Sequence, residues 1–177
     1  MGNYHFKSDL CRSVRNEKVV CDILTERNKK KGIRFTRISN HPDYDCVAIK
    51  GHKIRKIECK EDMMCKKTGN IAIEVYNNRN QSKSGISILD ENTILFYTIH
   101  CENDIVRMCH MKAKVVQEFI KNKGHLYSIK QSGDKFKNSK AAQCYIVPWQ
   151  VVWDLAKENH RIDNIGSKRY EDKIRRV

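Results

Sequence analysis

The sequence lacks a long hydrophobic run and has only two prolines among its 177 residues. No stretch approaches the roughly 18 consecutive apolar residues of a membrane helix, and residues 1–10 hold no apolar signal-peptide core. We therefore expect a soluble, intracellular protein with no membrane partner. No Gly/Ser tract or repeat marks a boundary, so the sequence predicts a single domain over residues 1–177, with residues 161–177 as a polar basic tail or terminal helix.

The chain has fewer acidic residues than basic ones. The chain has 35 Lys and Arg against 21 Asp and Glu, which gives a formal net charge of +14, and both halves share the excess. Such an excess favours a polyanionic partner, because each cation that neutralises a phosphate releases counterions. The 40% of hydrophobic residues suffices for a core and excludes a wholly disordered basic tail. A basic protein without a special partner is the alternative.

The eight cysteines form an even set, which in a short secreted chain would suggest disulfides. No secretion signal accompanies them and several lie in apolar runs, so we expect reduced, buried thiols. Zinc ligation is the weaker alternative, because the seven residues between Cys101 and Cys109 exceed the two to four of a zinc knuckle. The residues concerned are His100, Cys101, Cys109 and His110.

The pattern of apolar residues predicts a helix, then five strands, then a mixture of helix and strand. A sheet flanked by helices is the natural arrangement of such elements. The predicted helices cover residues 16–30, 112–121 and 149–157, with Pro148 at the start of the last, and the predicted strands cover residues 33–38, 45–50, 54–60, 70–76 and 93–100.

Residues 41–60 predict a β-hairpin that carries acidic side chains on one face. If Gly51 begins a two-residue turn, the numbers of facing residues add up to 103, so that Asp45 faces Glu58. Side chains alternate along a strand, so every second residue shares that face. This face therefore carries Asp43, Asp45, Glu58 and Lys60 together.

Two carboxylates directly across a ladder repel each other unless a cation lies between them. Mg²⁺ commonly takes one or two carboxylates together with waters and a substrate phosphate. Lys60, two residues beyond Glu58, would bring an ammonium group to the phosphate or the attacking water. The pattern therefore predicts a site for phosphodiester hydrolysis; the alternative is a solvated face with ordinary ion pairs.

These residues resemble the PD-(D/E)XK nuclease superfamily. The motif is Asp45 followed, thirteen positions on, by Glu58-Cys59-Lys60, a spacing similar to that of archaeal Holliday-junction resolvases. Residues 67–74 and 84–86 are similar to phage-encoded nucleases, and the resemblance covers about half of the chain. It implies an α/β, restriction-endonuclease-like fold with a mixed central sheet flanked by helices. It also implies a virus or phage protein that acts on DNA in the host cell with Mg²⁺, for which Mn²⁺ substitutes.

The resemblance implies Asp45 and Glu58 as catalytic metal ligands, with the backbone carbonyl of Cys59 completing the site and Lys60 as the catalytic lysine. Superfamily members often add an acidic residue from the first helix. Glu17 and Glu26 are the candidates, and Glu17 is preferred. Asp43, after Pro42, is the rival for Asp45, and Glu74 is either a further ligand or an exposed strand residue.

Two polar segments are candidates for contact with phosphates, and the first of them is equally consistent with an ordinary solvated loop. The first is a loop over residues 76–87, and the second is a lysine-rich stretch over residues 121–140. The candidate DNA-binding residues are Arg79, Lys83, Lys130, Lys135 and Lys137. We expect the DNA to be duplex or branched.

The sequence thus predicts a Mg²⁺-dependent endodeoxyribonuclease. Two alternatives stay open. One is a structure-selective junction resolvase that acts as a homodimer, and the other is a non-catalytic basic DNA-binding protein whose acidic cluster is structural.

Overall fold

The computed structural model describes residues 6–39, 41, 43–62, 64–77, 82–101, 104–132, 142–159 and 162–163, which form a mixed α/β fold. Three short 3-10 turns cover Lys29–Lys31, Gly85–Ile88 and Gly124–Leu126. The helices are α1 (Phe6–Asn28), α2 (Cys65–Thr68), α3 (Ala113–Lys123) and α4 (Trp149–Asn159). The strands are β1 (Arg34–Arg37), β2 (Cys46–Lys50), β3 (Lys53–Asp62), β4 (Asn70–Asn77), β5 (Ser82–Lys83), β6 (Ile94–Cys101), β7 (Asp104–Lys112), β8 (Ser128–Ser132), β9 (Ala142–Pro148) and β10 (Ile162–Asp163).

The described strands form two sheets. The first has the order β1-β2-β3-β6-β7-β10 and is mixed, because β3 and β6 run parallel while the other neighbours are antiparallel. The second has the order β5-β4-β9-β8 and is antiparallel throughout. None of the described helices is long and apolar enough to cross a membrane.

The first sheet buries both of its faces, each in a separate core. Helix α1 covers one face, where Val20 and Leu24 pack in a cluster with Ile57 and Phe96. The other face packs against the second sheet and against α3 and α4, in a larger cluster that includes Leu95. Because strand side chains alternate, β3 directs Ile57 towards α1 and directs its even-numbered residues towards the second sheet.

The hairpin register predicted from the sequence is confirmed. Every facing pair of β2 and β3 adds up to 103, from Cys46 with Ile57 to Lys50 with Lys53. Gly51 has a φ of 56°, the left-handed conformation that a tight hairpin turn requires and that glycine adopts without steric cost.

The predicted pairing is wrong at the open end of this hairpin. The ladder stops at Cys46 and Ile57, and the amide of Asp45 donates to the Ile57 carbonyl at 2.9 Å, so the facing pair of Asp45 and Glu58 is not formed. Asp43 lies outside β2, is exposed, and donates its amide to Nδ1 of His41, so it does not pair with Lys60 either.

Other differences concern elements that sequence periodicity did not show. Helix α1 begins ten residues before its predicted start, while β7, β8 and β9 were not predicted. Pro148 ends β9 opposite Asn70 and is not the first residue of α4. A proline has no amide hydrogen to give to a ladder, and strand ends tolerate it.

The six cysteines whose side chains are described are free thiols. Burial is the main cause that raises the pKa of Cys65 and of Cys109 to about 12 in each case. Since the thiolate is the reactive form, we expect iodoacetamide to label the five buried cysteines slowly in the native protein and quickly in urea. Peptide mapping by mass spectrometry measures this, and rapid native labelling of any of the five would contradict it. They are Cys21, Cys46, Cys65, Cys109 and Cys144.

Candidate functional site

The candidate site lies on the second half of β3, where this strand passes the end of β2. Glu58 and Lys60 point towards the second sheet, and Lys60 Nζ lies 2.5 Å from Glu58 Oε1. The Glu58 side chain is 14% exposed and that of Lys60 is 38% exposed. The site is therefore open to solvent at the lysine and closed at the carboxylate.

Asp45 joins this pair through the backbone of β3. The amide of Cys59 donates a hydrogen bond to Asp45 Oδ2 at 2.8 Å. The amide and carbonyl of one strand residue point to the same side, so the Cys59 carbonyl also faces the side on which Asp45 lies. The Lys60 carbonyl points the other way and accepts a hydrogen bond from the Thr98 hydroxyl at 3.3 Å. Two carboxylates and one backbone carbonyl thus flank one strand end.

The charges at the site act on one another. Burial, followed by the negative charge of Asp45, raises the pKa of Glu58 to about 6 in spite of the opposing charge of Lys60. Burial acts to lower the pKa of Lys60, but the charges of Glu58, Asp45 and Glu74 outweigh it and raise that pKa above its usual value. Lys60 is therefore held as an ammonium ion among three carboxylates.

Glu74 lies on β4 of the second sheet, and its charge is one of the causes that raise the pKa of Lys60. Ser84 Oγ donates to Glu74 Oε1 at 2.7 Å, which orients the carboxylate. Gly85 packs directly against the backbone of the same residue, since a Cβ atom there would lie 2.4 Å from the Glu74 carbonyl oxygen. Glu74 is half-buried rather than exposed, and its role as a further ligand stays a prediction.

Glu17 lies on α1, near Asp45. Burial raises the pKa of Glu17, and the charges of Asp45 and Glu61 act in the same direction, while an ion pair with Arg37 Nε at 2.5 Å opposes them. Glu26 is exposed nine residues further along the helix, about 14 Å away along its axis. The structure thus places Glu17, and not Glu26, close to the other carboxylates.

The two candidate DNA-binding residues that the structure describes lie apart from each other. Lys83 is exposed on β5 and Lys130 is exposed on β8, at opposite edges of the second sheet. Three strand spacings separate these edges, about 14 Å. Arg79, Lys135 and Lys137 lie outside the described residues.

The zinc alternative fails for the pair that the structure describes. Cys109 and His110 are consecutive strand residues and point to opposite faces: Cys109 joins the core between the sheets, whereas His110 stacks on Phe96 at 5.0 Å. They cannot bind one zinc ion together. The side chains of His100 and Cys101 lie outside the described residues.

No group of three His, Cys, Asp or Glu side chains in the described part of the chain is arranged as a ready metal site. The donors that do approach one another are oxygen atoms, of Asp45, Glu58 and the Cys59 backbone, and oxygen is what Mg²⁺ prefers. In the structure, Glu58 Oε1 is engaged in the ion pair with Lys60 Nζ. The donor set therefore fits Mg²⁺, provided that the lysine releases one carboxylate oxygen.

Two residues to which the sequence assigned no individual role support the site. Arg37 pairs with Glu17, and Ser84 orients Glu74. Both contacts join residues from separate elements. Ser84 belongs to the stretch 84–86 that resembles phage-encoded nucleases, whereas Arg37 belongs to no motif. The alternation of charge along β1 is too weak a signal to find Arg37 from the sequence.

Glu58 makes the stability of the metal-free protein depend on pH. Its pKa rises from 4.5 to about 6 on folding, so the folded state binds this proton more tightly, and the resulting stability is full below pH 4.5 and lost as pH rises through 6. We expect Glu58→Gln to remove this loss, on the order of 1–2 kcal/mol between pH 4 and pH 7. Urea unfolding in EDTA at several pH values measures the difference. Identical pH profiles for both proteins would contradict the expectation.

Comparison of the sequence with protein-family models and with curated proteins finds no significant match.

Proposed function

We propose that the protein is a Mg²⁺-dependent endonuclease that hydrolyses phosphodiester bonds in DNA. The observation that carries the proposal is the arrangement of Asp45 and Glu58 around the end of β2, with the Lys60 ammonium 2.5 Å from Glu58. Half-buried carboxylates that repel each other beside a lysine are costly for the fold alone, and such clusters are typical of functional sites.

In this proposal, Asp45, Glu58 and the Cys59 carbonyl hold Mg²⁺, or Mn²⁺ in its place. The metal supplies polarisation of the phosphoryl oxygen and a more acidic bound water. Lys60 stabilises the negative charge that develops on the phosphate, and its raised pKa favours this role over that of a general base. Glu74 and Glu17 add to the negative charge around Lys60 and Asp45.

The proposed fold is restriction-endonuclease-like. In support, the site lies on a β-hairpin within a mixed sheet, the hairpin's second strand has a parallel neighbour, and helices pack near both faces. DNA is the proposed substrate because the chain carries a net charge of +14 around a small acidic centre. Phosphate attraction by such a surface is strong and independent of sequence.

The proposal is tested by incubating the protein with supercoiled plasmid in Mg²⁺, in Mn²⁺ and in EDTA. We expect nicking with either metal and none in EDTA. DNA binding without nicking under both metals would overturn the proposal and leave a basic DNA-binding protein. A four-way junction offered beside a linear duplex of equal length then shows whether cleavage is structure-selective.

A further inference from the structure

A cavity of about 640 Å³ lies against the first sheet, on the face that α1 covers. The last turns of α1 and the residues that follow them form one wall, and β1, β2, β3, β6 and β7 supply the rest. The volume falls within the range of roughly 300–1,000 Å³ that is usual for small-molecule sites. The cavity is separate from the candidate active site, because Glu58 and Lys60 project from the opposite face of β3.

The rim of this cavity is strongly cationic. Among the described residues, six Lys or Arg line the cavity and no Asp or Glu does. Lys50 and Lys53 face each other directly across the ladder, and like charges in that position destabilise a hairpin. An anionic ligand would relieve the repulsion. The six residues are Arg27, Lys31, Lys50, Lys53, Arg55 and Lys112.

The floor of the cavity is apolar. Phe35, Ala48 and Ile94 are half-buried and present carbon surface, with the stacked rings of Phe96 and His110 beside them. A ligand that contacts both the cationic rim and the apolar floor needs several negative charges and an apolar or aromatic body. A fatty acid would bring one charge to six cations, and an inorganic anion would leave the floor unused.

We propose that this cavity binds a nucleotide, with the base on the apolar floor and the phosphates on the lysine and arginine rim. Aromatic and aliphatic surface suits the face of a base, and Arg and Lys side chains suit phosphate oxygens. The same chemistry occurs in a free nucleoside triphosphate and at the 5′-phosphorylated end of a strand. The inference goes beyond the proposed nuclease activity and does not depend on it.

Isothermal titration calorimetry in EDTA tests the proposal with three probes: ATP, inorganic triphosphate and a 5′-phosphorylated trinucleotide. We expect ATP or the trinucleotide to bind more tightly than inorganic triphosphate, and the preferred one of the two identifies the source of the nucleotide. The double variant Arg55→Ala/Lys112→Ala should lower the affinity about tenfold or more.

The matched control is Lys56→Ala/Lys114→Ala, which removes the same charge from neighbouring positions outside the cavity lining. This control should bind like the unaltered protein. Phe35→Leu should weaken the binding of ATP without changing that of inorganic triphosphate, and circular dichroism verifies that each variant folds.

Three outcomes would overturn the proposal: no binding of ATP or the trinucleotide, equal binding of inorganic triphosphate, or equal losses in the cavity variant and its control. Glu58→Gln should bind the nucleotide normally. A protein that binds ATP but does not nick DNA would therefore refute the proposed nuclease function alone, and the converse result would refute the cavity proposal alone.

Discussion

Replacement of Lys60 by Met is expected to lower the rate of Mg²⁺-dependent plasmid nicking by about a hundredfold or more, the usual effect of removing a charge-stabilising group from an active site. Methionine keeps much of the length and apolar stem of the side chain but has no ammonium group. Glu58→Gln should cause a loss of similar size, because a neutral amide is a poorer ligand for Mg²⁺. Nicking rates at saturating DNA measure both effects.

The measurement is best made near pH 8. The charge of Lys60 lowers the pKa of Glu58, so its removal makes Glu58 harder to ionise, and a neutral pH would mix this effect with the loss of catalysis. Lys56→Met is the matched control, since Lys56 is exposed on the same face of β3 and lies four residues before Lys60. It should stay within a few-fold of the unaltered rate. A Lys60→Met protein as active as this control would exclude the proposed role.

Replacement of Gly85 by Ala is expected to destabilise the protein by at least about 2 kcal/mol. Two causes act together. Gly85 has a φ of 53°, which costs an L-residue free energy, and the new Cβ would approach the Glu74 carbonyl oxygen to 2.4 Å and the Glu74 Cβ to 2.8 Å. Backbone atoms cannot move aside as a flexible side chain does, so β4 must shift at Glu74. Urea unfolding measures the loss.

Gly51 offers a matched control for this variant. Its φ of 56° is almost the same, but nothing lies within 4 Å of a Cβ atom placed there. Gly51→Ala therefore reports the conformational cost alone, about 1–2 kcal/mol. The additional loss of stability in Gly85→Ala, compared with Gly51→Ala, measures the clash with Glu74. Equal losses of stability in the two variants would show that β4 shifts at Glu74 without a free-energy cost. Nicking by Gly85→Ala should also fall, because a shift of β4 displaces Glu74, whose charge acts on Lys60.

The hairpin could be predicted from the sequence because its information is local. A two-residue turn at Gly51 fixes the register of β2 and β3 by arithmetic, and strand alternation then assigns every side chain to a face. The same arithmetic fails at Asp45, which precedes β2: the ladder has ended there, and the Asp45 amide donates to the Ile57 carbonyl. Regular pairing predicts side-chain positions only as far as the pairing continues.

The remainder of the site depends on contacts between elements that are distant in the chain. The charge of Glu74 acts on Lys60 although the two residues lie on different sheets, and the strand that pairs with β4 at Glu74 is β9, about seventy residues later. Residues 104–112 carry no strict alternation of apolar and polar side chains. In the described part of β7, Met108 packs in the core under α1, while Cys109 and Met111 pack in the core on the other face. A strand buried in this way has no simple period to detect.

The hydrogen bond from the Cys59 amide to Asp45 has a practical consequence for mutagenesis. Beyond Ile57, β3 keeps β6 on one side, while on the other the Asp45 side chain takes the place of a backbone acceptor. Removing the Asp45 carboxylate would therefore deprive a main-chain donor of its partner as well as removing a metal ligand. Activity lost in Asp45→Ala would report on folding and chemistry together, whereas Glu58→Gln, which leaves the main chain satisfied, separates them.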